Sequence, residues 1–381
     1  MALTPDQSTL LSNAFRPHAP IEDPGSFVGR QGELERVREA IDAAGLHVVL
    51  YGERGCGKTS LANVATATHP RIQVFCEETA SFASLLRDTA LKYQASNPQT
   101  IIFDAVNDAI VTRGMTLPAS RLTGNLFLQL LVPGEPLCIV FDELDRVQDK
   151  TLIGSLAELA KNAATNHPNV TLVMVGADET ADGLLAGHLS NFRNLRQVPL
   201  TRMSTQELGG ILTRGETVLS ISFNAQAKYE MVQMSDRMPY YLHLLATSAA
   251  RFALERDSNT VEAADLRNAT LATAKDVDHS LRETYELAAL SEKGSSVYRR
   301  LIWAMASMDG AACSVGTINE RANEIARQEN AAEVSPQALG AALKRLMSEA
   351  KRGIVVQIMA GNYKFRHPLM KGFVRLVRHA Q

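Results

Sequence analysis

The sequence has only four cysteines, Cys56, Cys76, Cys138 and Cys313, and they are scattered along the chain. None stands at metal-ligand spacing from another, and there is no framework of paired cysteines, so they read as reduced thiols of a cytosolic protein. Long apolar runs are also missing. No stretch approaches the ~20 residues needed to span a bilayer, which argues against a membrane partner. The first residues, Met-Ala-Leu-Thr-Pro-Asp-Gln, have no basic region followed by an apolar one, so no secretory signal is expected. Net charge is nearly absent, at −2.

With 21% charged and 45% hydrophobic residues the composition is that of an ordinary globular protein, and 381 residues are long for one core, so two or three domains are expected. The near-zero charge hides an asymmetry. From Leu290 to Gln381 there are 14 Lys/Arg against 7 Asp/Glu, a net of +7, which leaves −9 for the rest of the chain. A basic C-terminal region on an acidic body points to a nucleic-acid partner at that end.

Residues 52–59 read Gly-Glu-Arg-Gly-Cys-Gly-Lys-Thr, a complete G-x-x-x-x-G-K-[ST] loop. The apolar stretch 46–51 ahead of it predicts a buried strand, and 58–65 behind it predicts a helix. That context gives the pattern its mechanism. Gly52, Gly55 and Gly57 let the backbone bend tightly and aim N–H groups at a phosphate chain, with Cys56 and Ser60 in the same loop and helix start. The helix adds the positive end of its dipole. Lys58 is expected to reach the β- and γ-phosphates, and the Thr59 hydroxyl to ligate Mg²⁺. The expected ligands are therefore ATP and Mg²⁺.

The second half of such a site is expected at 137–145, Leu-Cys-Ile-Val-Phe-Asp-Glu-Leu-Asp. Its apolar run predicts a buried strand that ends in two carboxylates. Asp142 can hold Mg²⁺ through water. Glu143 can orient and deprotonate the attacking water, which makes hydrolysis the expected reaction rather than passive binding. Further strands are expected at 71–76 and 169–176, and helices at 82–93, 119–131 and 151–163. The region 77–121 suggests no chemical role.

Phe27-Val-Gly-Arg30, followed by an acidic helix ahead of the first strand, resembles the N-terminal linker of AAA+ and STAND-type ATPases. The resemblance implies that Phe27, Val28 and Gly29 lie against the adenine base, behind an extended lead-in over residues 1–25. It implies a polar residue after the 169–176 strand that senses the γ-phosphate. Here Asp178 or Thr180 must serve, where the family usually has Asn or Thr. It also implies an arginine just before a final strand that reaches a neighbouring subunit's phosphate. Arg193 and Arg196, in the 189–200 segment read as leading into that strand, are the candidates, and they would require a homo-oligomer. From Ser204 onward the periodicity is helical, with helices expected at 206–213, 224–233, 239–254 and 261–273. Within this region, 235–243 resembles the element of initiator-type and STAND ATPases whose helix start faces the nucleotide. Arg237 would sense the γ-phosphate, and Pro239 would set the first turn.

The last hundred residues predict a helix within 282–308, a second over 319–328, a third from Ser335, a hairpin (354–358 and 363–366) and a closing helix over 369–377. That order resembles a winged-helix domain, in which the third helix would enter a major groove with Gln337, Lys344, Arg345 and Lys351 exposed on it. Lys364 and Arg366 would meet phosphates. The expected fold class is α/β: a P-loop NTPase parallel sheet with a helical lid, then a winged-helix (α+β) domain. The domains would be 26–202 (ATPase core), 203–280 (lid) and 281–381 (winged helix), close in layout to origin-initiator and transposition ATPases. Two functions fit. One is an ATP-driven switch that assembles on double-stranded DNA and recruits a partner protein. The other is a regulatory or defence ATPase whose winged helix contacts proteins only. A small-molecule kinase is disfavoured by the Asp142-Glu143 pair and the helical regions.

Overall fold

A computed structural model describes residues 3–97, 102–104, 109–112, 115–118, 122–131, 136–187, 194–276, 279–290, 297–308, 310, 312–367 and 369–380. Arg193 and the start of the helix expected at 119–131 lie outside these residues. The chain forms two compact units, one of residues 19–201 and one of residues 1–18 with 202–381.

The first element, α1 (Pro5–Ala14), lies where an extended lead-in was expected. Local chemistry explains the helix. Pro5 presets its first turn, and Thr4 and Gln7 form a capping box, with the Gln7 N–H donating to Thr4 Oγ1 at 3.2 Å and the Thr4 N–H to Gln7 Oε1 at 3.0 Å. Leu11, Ala14 and the following Phe15 are buried. The polar composition of the segment conceals this short apolar face.

In order, the unit of residues 19–201 contains α2 (Gln31–Asp42), β1 (His47–Gly52), α3 (Lys58–Ala65), β2 (Arg71–Phe75), α4 (Phe82–Ser96), β3 (Ile102–Asp104), β4 (Ala109–Thr112), β5 (Met115–Pro118), α5 (Gly124–Leu130), β6 (Leu137–Asp142), α6 (Lys150–Asn166), β7 (Val170–Gly176), α7 (Ala181–Leu184) and β8 (Leu195–Leu200). Its main sheet is five-stranded, in the order β2-β6-β7-β1-β8, and every neighbouring pair is parallel. Parallel strands need crossovers, and the intervening helices cover both faces. Val49, Ile139, Phe141, Leu172 and Met174 point into one core, with Leu85, Phe127 and Leu156. Val48, Leu50, Val140, Val173 and Val175 point into the other, with Leu34, Val37 and Leu61. This is the α/β P-loop NTPase sheet.

Two details differ from expectation. The last strand of the sheet is β8 itself rather than a strand beyond Leu200, so Arg196 lies within it, opposite Val48. As an edge strand β8 tolerates Pro199 and alternates exposed with buried residues, which makes its sequence read as a loop. Between α4 and α5, β3, β4 and β5 form a separate antiparallel three-stranded sheet in a region for which no strands were expected.

In the other unit α1 is followed by α8 (Thr205–Leu219), β9 (Ser222–Phe223), α9 (Ala225–Met234), α10 (Pro239–Glu255), β10 (Thr260–Val261), α11 (Ala263–Asp276), α12 (His279–Ala289), α13 (Val297–Ser307), β11 (Ala312–Ser314), α14 (Val315–Gln328), α15 (Pro336–Met347), β12 (Val355–Met359), β13 (Asn362–Phe365) and α16 (Met370–Ala380). The first four long helices are those expected, and α1 packs on α8 and α10. Phe15 lies over Gly215, where an added Cβ would fall 2.1 Å from its ring. A two-residue parallel bridge between β9 and β10 interrupts the helical pattern. The single helix expected within 282–308 is two helices, α12 and α13. From α13 onward the order is helix, strand, helix, helix, hairpin, helix, with the sheet ordered β11-β13-β12. α16 packs on α11 and α13, and meets α10 at one point, where an added Cβ at Gly372 would lie 2.3 Å from the Tyr241 ring.

Candidate active site

The loop between β1 and α3 turns on glycines in conformations that side chains rarely adopt: Gly52 has φ 148°, Gly55 82° and Gly57 92°. At Gly52 the constraint is also steric, because a Cβ would lie 2.2 Å from the Leu200 carbonyl oxygen. Lys58, the first residue of α3, folds back over the loop and donates to the carbonyls of Gly52 (2.9 Å) and Glu53 (2.8 Å). Its ammonium is thus held inside the turn. Cys56 is buried in the same loop, and desolvation raises its pKa, so it is a packed thiol rather than a nucleophile.

Asp142 ends β6 and is only 2% exposed. Its carboxylate accepts the Glu143 N–H (2.8 Å) and Gln73 Nε2 (3.2 Å), and the Thr59 hydroxyl lies near it as well. Burial raises its pKa, and these hydrogen bonds oppose the rise. The structure therefore brings Thr59 of the loop near Asp142 of the strand. Two hard oxygen donors placed near each other suit Mg²⁺, which takes one or two protein oxygens and keeps water and phosphate for the rest.

Glu143 follows in a left-handed conformation (φ 57°), and its Oε2 accepts Arg146 Nη1 at 2.7 Å. Three residues that the sequence suggested no role for tie the site together. Asp145 accepts Arg54 of the loop (2.9 Å) and the Ala177 N–H beyond β7 (2.8 Å), which links the loop to the next strand end. Arg30 is buried, and its Nη2 donates to the Cys56 carbonyl (3.4 Å) and to the Thr201 carbonyl. It clasps the loop from behind. Arg54 occupies a variable position of the loop motif, and Asp145 reads as one more acidic residue after the strand, so neither gave a signal. Arg30 closes the Phe27-Val-Gly-Arg30 motif, whose resemblance assigns a role only to its first three residues.

Other expected residues are placed as follows. Phe27, Val28 and Gly29 are half-buried, and Phe27 packs with Ile21 beside the α2–α3 core. The Ile21 N–H donates to Ser60 Oγ at 3.0 Å, so this segment lies along the start of α3. Asp178 and Thr180 are used locally. Asp178 Oδ1 accepts the Thr180 N–H at 3.0 Å, and Thr180 Oγ1 caps α7 by accepting the Gly183 N–H at 2.9 Å. Arg196 is half-buried on β8.

Arg237 and Pro239 belong to the other unit. Arg237 is exposed with φ 59°, and Pro239 is the first residue of α10. On α15, Gln337, Lys344 and Arg345 are exposed. Lys351 is not. It is 8% exposed, and its Nζ donates to the Leu287 carbonyl (2.9 Å) and the Leu290 carbonyl at the end of α12, while lying 4.7 Å over the Tyr298 ring. Its position after α15 suggested a groove contact, but the chain turns it inward to cap another helix. Lys364 is half-buried, and Arg366 is exposed with its Nε donating to the Gly353 carbonyl at 2.7 Å.

Residues 26–174, which span the loop, the Asp142-Glu143 pair and most of β7, match the AAA ATPase domain family. That stretch of the chain is similar to an AAA ATPase domain, and the protein is an ATPase. No curated protein matches it in sequence. Among solved structures it is similar to the Walker-type ATPase PABY2304 of Pyrococcus abyssi (17% identity, 94% of this chain and 99% of that one, TM-score 0.57). It is also similar to the Aeropyrum pernix ORC2 protein (13% identity, 97% of both chains, TM-score 0.53). At such identities the likeness is one of fold. Among the described residues, no helix of this ATPase is long and apolar enough to cross a membrane.

Proposed function

We propose that this ATPase is a nucleotide-controlled switch that assembles on double-stranded DNA and recruits a partner protein there. The ATPase half rests on the junction of the phosphate loop with the acidic strand end, where Arg54 of the loop donates to Asp145 at 2.9 Å, just past Asp142 and Glu143. In this reading Lys58 and the loop N–H groups bind the ATP phosphates. Thr59 and Asp142 hold Mg²⁺, which supplies charge neutralisation at the phosphates. Glu143 takes the proton of the attacking water. Phe27, Val28 and Gly29 flank the base. Arg237, at the start of α10, senses the γ-phosphate, and Arg193 and Arg196 serve a neighbouring subunit. The working divisions are a core of 26–202, a helical lid of 203–280 and a winged-helix domain of 281–381.

The DNA half rests on the α13-to-β13 module. Its element order suits a winged helix, and α15 presents Gln337, Lys344 and Arg345 to solvent. The small residues Ala338 and Ala341 lie exposed beside them and allow close approach to a groove. Duplex binding that weakens steeply between low and physiological salt is the expected result. The Lys344→Glu/Arg345→Glu variant should lose about tenfold or more in affinity. Unchanged affinity in that variant would remove α15 from the DNA interface.

A second reading has support at the hairpin tip, where Ile358 and Met359 are 42% and 63% exposed. Apolar side chains there suit a protein surface, and the ATPase would then regulate a protein partner without DNA. Absence of any salt-sensitive duplex binding would favour it.

A further inference from the structure

The turn that carries Arg237 is held by a buried charge cluster reaching from the C-terminal helix. Asp236 and Arg237 are consecutive non-glycine residues with φ 53° and 59°. A non-glycine residue in this region is strained and persists only where its surroundings enforce it. The surroundings here are specific. The Asp236 carboxylate is 5% exposed and pairs with Arg202, with Lys371 (3.4 Å) and with Arg375 (3.1 Å). Arg202 Nη1 also donates to the Asp236 carbonyl at 3.0 Å, and the Met203 N–H donates to the Arg237 carbonyl at 3.0 Å.

Three cations on one carboxylate leave excess positive charge in a place with little water, where it must be spread over other acceptors. Backbone carbonyls take it. Lys371 donates to Gly310 at 2.6 Å. Arg375 donates to Ala306 (2.7 Å) and Met308 (3.0 Å) at the end of α13 and to Gln233 (3.2 Å) in α9. One side chain of α16 thus fastens α13, α9 and the Asp236 turn together. Stability alone does not call for this arrangement, since apolar residues of similar size often do as well as buried ion pairs. Its particular effect is geometric: it fixes a strained turn whose next side chain is the exposed Arg237.

We infer that Lys371 and Arg375 are positioning residues for Arg237, so that the C-terminal helix α16 sets the competence of the ATPase. This rests on the reading that Arg237 acts on the nucleotide, and deepens it. The C-terminal module would act on turnover through its own last helix, because a shift of α16 that loosens Asp236 also releases the left-handed pair.

The test measures steady-state ATP hydrolysis by the full-length chain in the variants Arg237→Ala, Arg375→Gln, Lys371→Met and Arg237→Ala/Arg375→Gln. Arg375→Lys is added as the conservative variant that keeps the fold if Arg375→Gln does not. Arg237→Ala is expected to lower kcat. Arg375→Gln and Lys371→Met are each expected to lower kcat about five- to thirtyfold, the range of energetic couplings between sites, with KM changed less than about threefold. Arg375→Lys should recover most of the loss. The double variant should be no slower than Arg237→Ala, because one effect runs through the other. If Arg237→Ala lowers kcat while the folded Arg375 and Lys371 variants keep wild-type values, the cluster is structural only and the inference is wrong. If Arg237→Ala itself keeps wild-type kcat, the reading of Arg237 fails and the inference falls with it.

Discussion

Glu143 takes a left-handed conformation directly after the buried Asp142, and its neighbour Leu144 is buried. The backbone bend turns the Glu143 carboxylate out to solvent, half-exposed, while Asp142 stays in. Two adjacent acids thereby acquire different surroundings: Asp142 is desolvated and accepts hydrogen bonds from Gln73 and the Glu143 N–H, whereas Glu143 is half-exposed and paired with Arg146. An exposed pair of this kind contributes little to stability, so replacing Glu143 should leave the fold intact. Glu143→Gln is expected to slow single-turnover hydrolysis by about 10²–10⁴-fold, the span of general-base catalysis, while ATP affinity stays within about threefold. Hydrolysis near the wild-type rate in a stopped-flow phosphate-release assay would place the base elsewhere.

At the scale of elements, Lys351 shows how position along a helix misleads. A lysine one turn past α15 reads as a groove contact, yet its amine caps the carbonyls of Leu287 and Leu290. Lys351→Met is therefore expected to cost about 1–3 kcal/mol, the penalty of unmaking buried charged hydrogen bonds, with duplex affinity unchanged. Thermal unfolding beside a DNA titration checks both, and a loss of affinity at unchanged Tm would return Lys351 to the surface. The same contrast governs what could be read from sequence. Strands β1, β6 and β7 are covered on both faces, so their apolar runs are continuous and were plain, as was the glycine-marked turn at the loop. The edge strand β8 has one wet face and a proline, the β3–β5 sheet has strands of three or four residues, and the β9–β10 bridge has two per strand. Too few residues repeat in these for a period to show. Helix α1 gives no clear periodic signal because its buried face is only Leu11 and Ala14 before Phe15. The loop and the Asp142-Glu143 pair are legible because each is local in sequence. The clasps made by Arg30, Asp145 and Asp236 are not, because each joins segments brought together only by folding.

At the scale of the whole molecule, stability should depend on pH through histidines buried neutral in both units. His243 of α10 is packed edge-on against Phe15, with ring centroids 6.1 Å apart, and its Nδ1 accepts the Arg16 N–H at 3.4 Å. That hydrogen bond requires an unprotonated nitrogen. Burial, helped by the charge of Arg214, lowers its pKa from 6.5 to about 4. In the unit of residues 19–201, His47 is lowered in the same direction by burial. The unfolded chain therefore binds protons that the fold refuses at pH values between the folded and unfolded pKa. The stabilisation is fully present above about pH 6.5 and is lost as pH falls towards 4. For His243 the loss amounts to about 3 kcal/mol by pH 4, at 1.36 kcal/mol per pKa unit. His243→Gln keeps a hydrogen-bond acceptor beside Arg16 without a proton to gain. The variant should start less stable at pH 7.5 because the aromatic packing on Phe15 is gone, and then lose several degrees less in Tm than the wild type between pH 7.5 and 5. His47 is present in both proteins, so the difference between the two curves belongs to His243. Parallel curves would mean that α1 leaves α10 before the imidazole titrates, and that the N-terminal helix is held too weakly to keep this histidine dry.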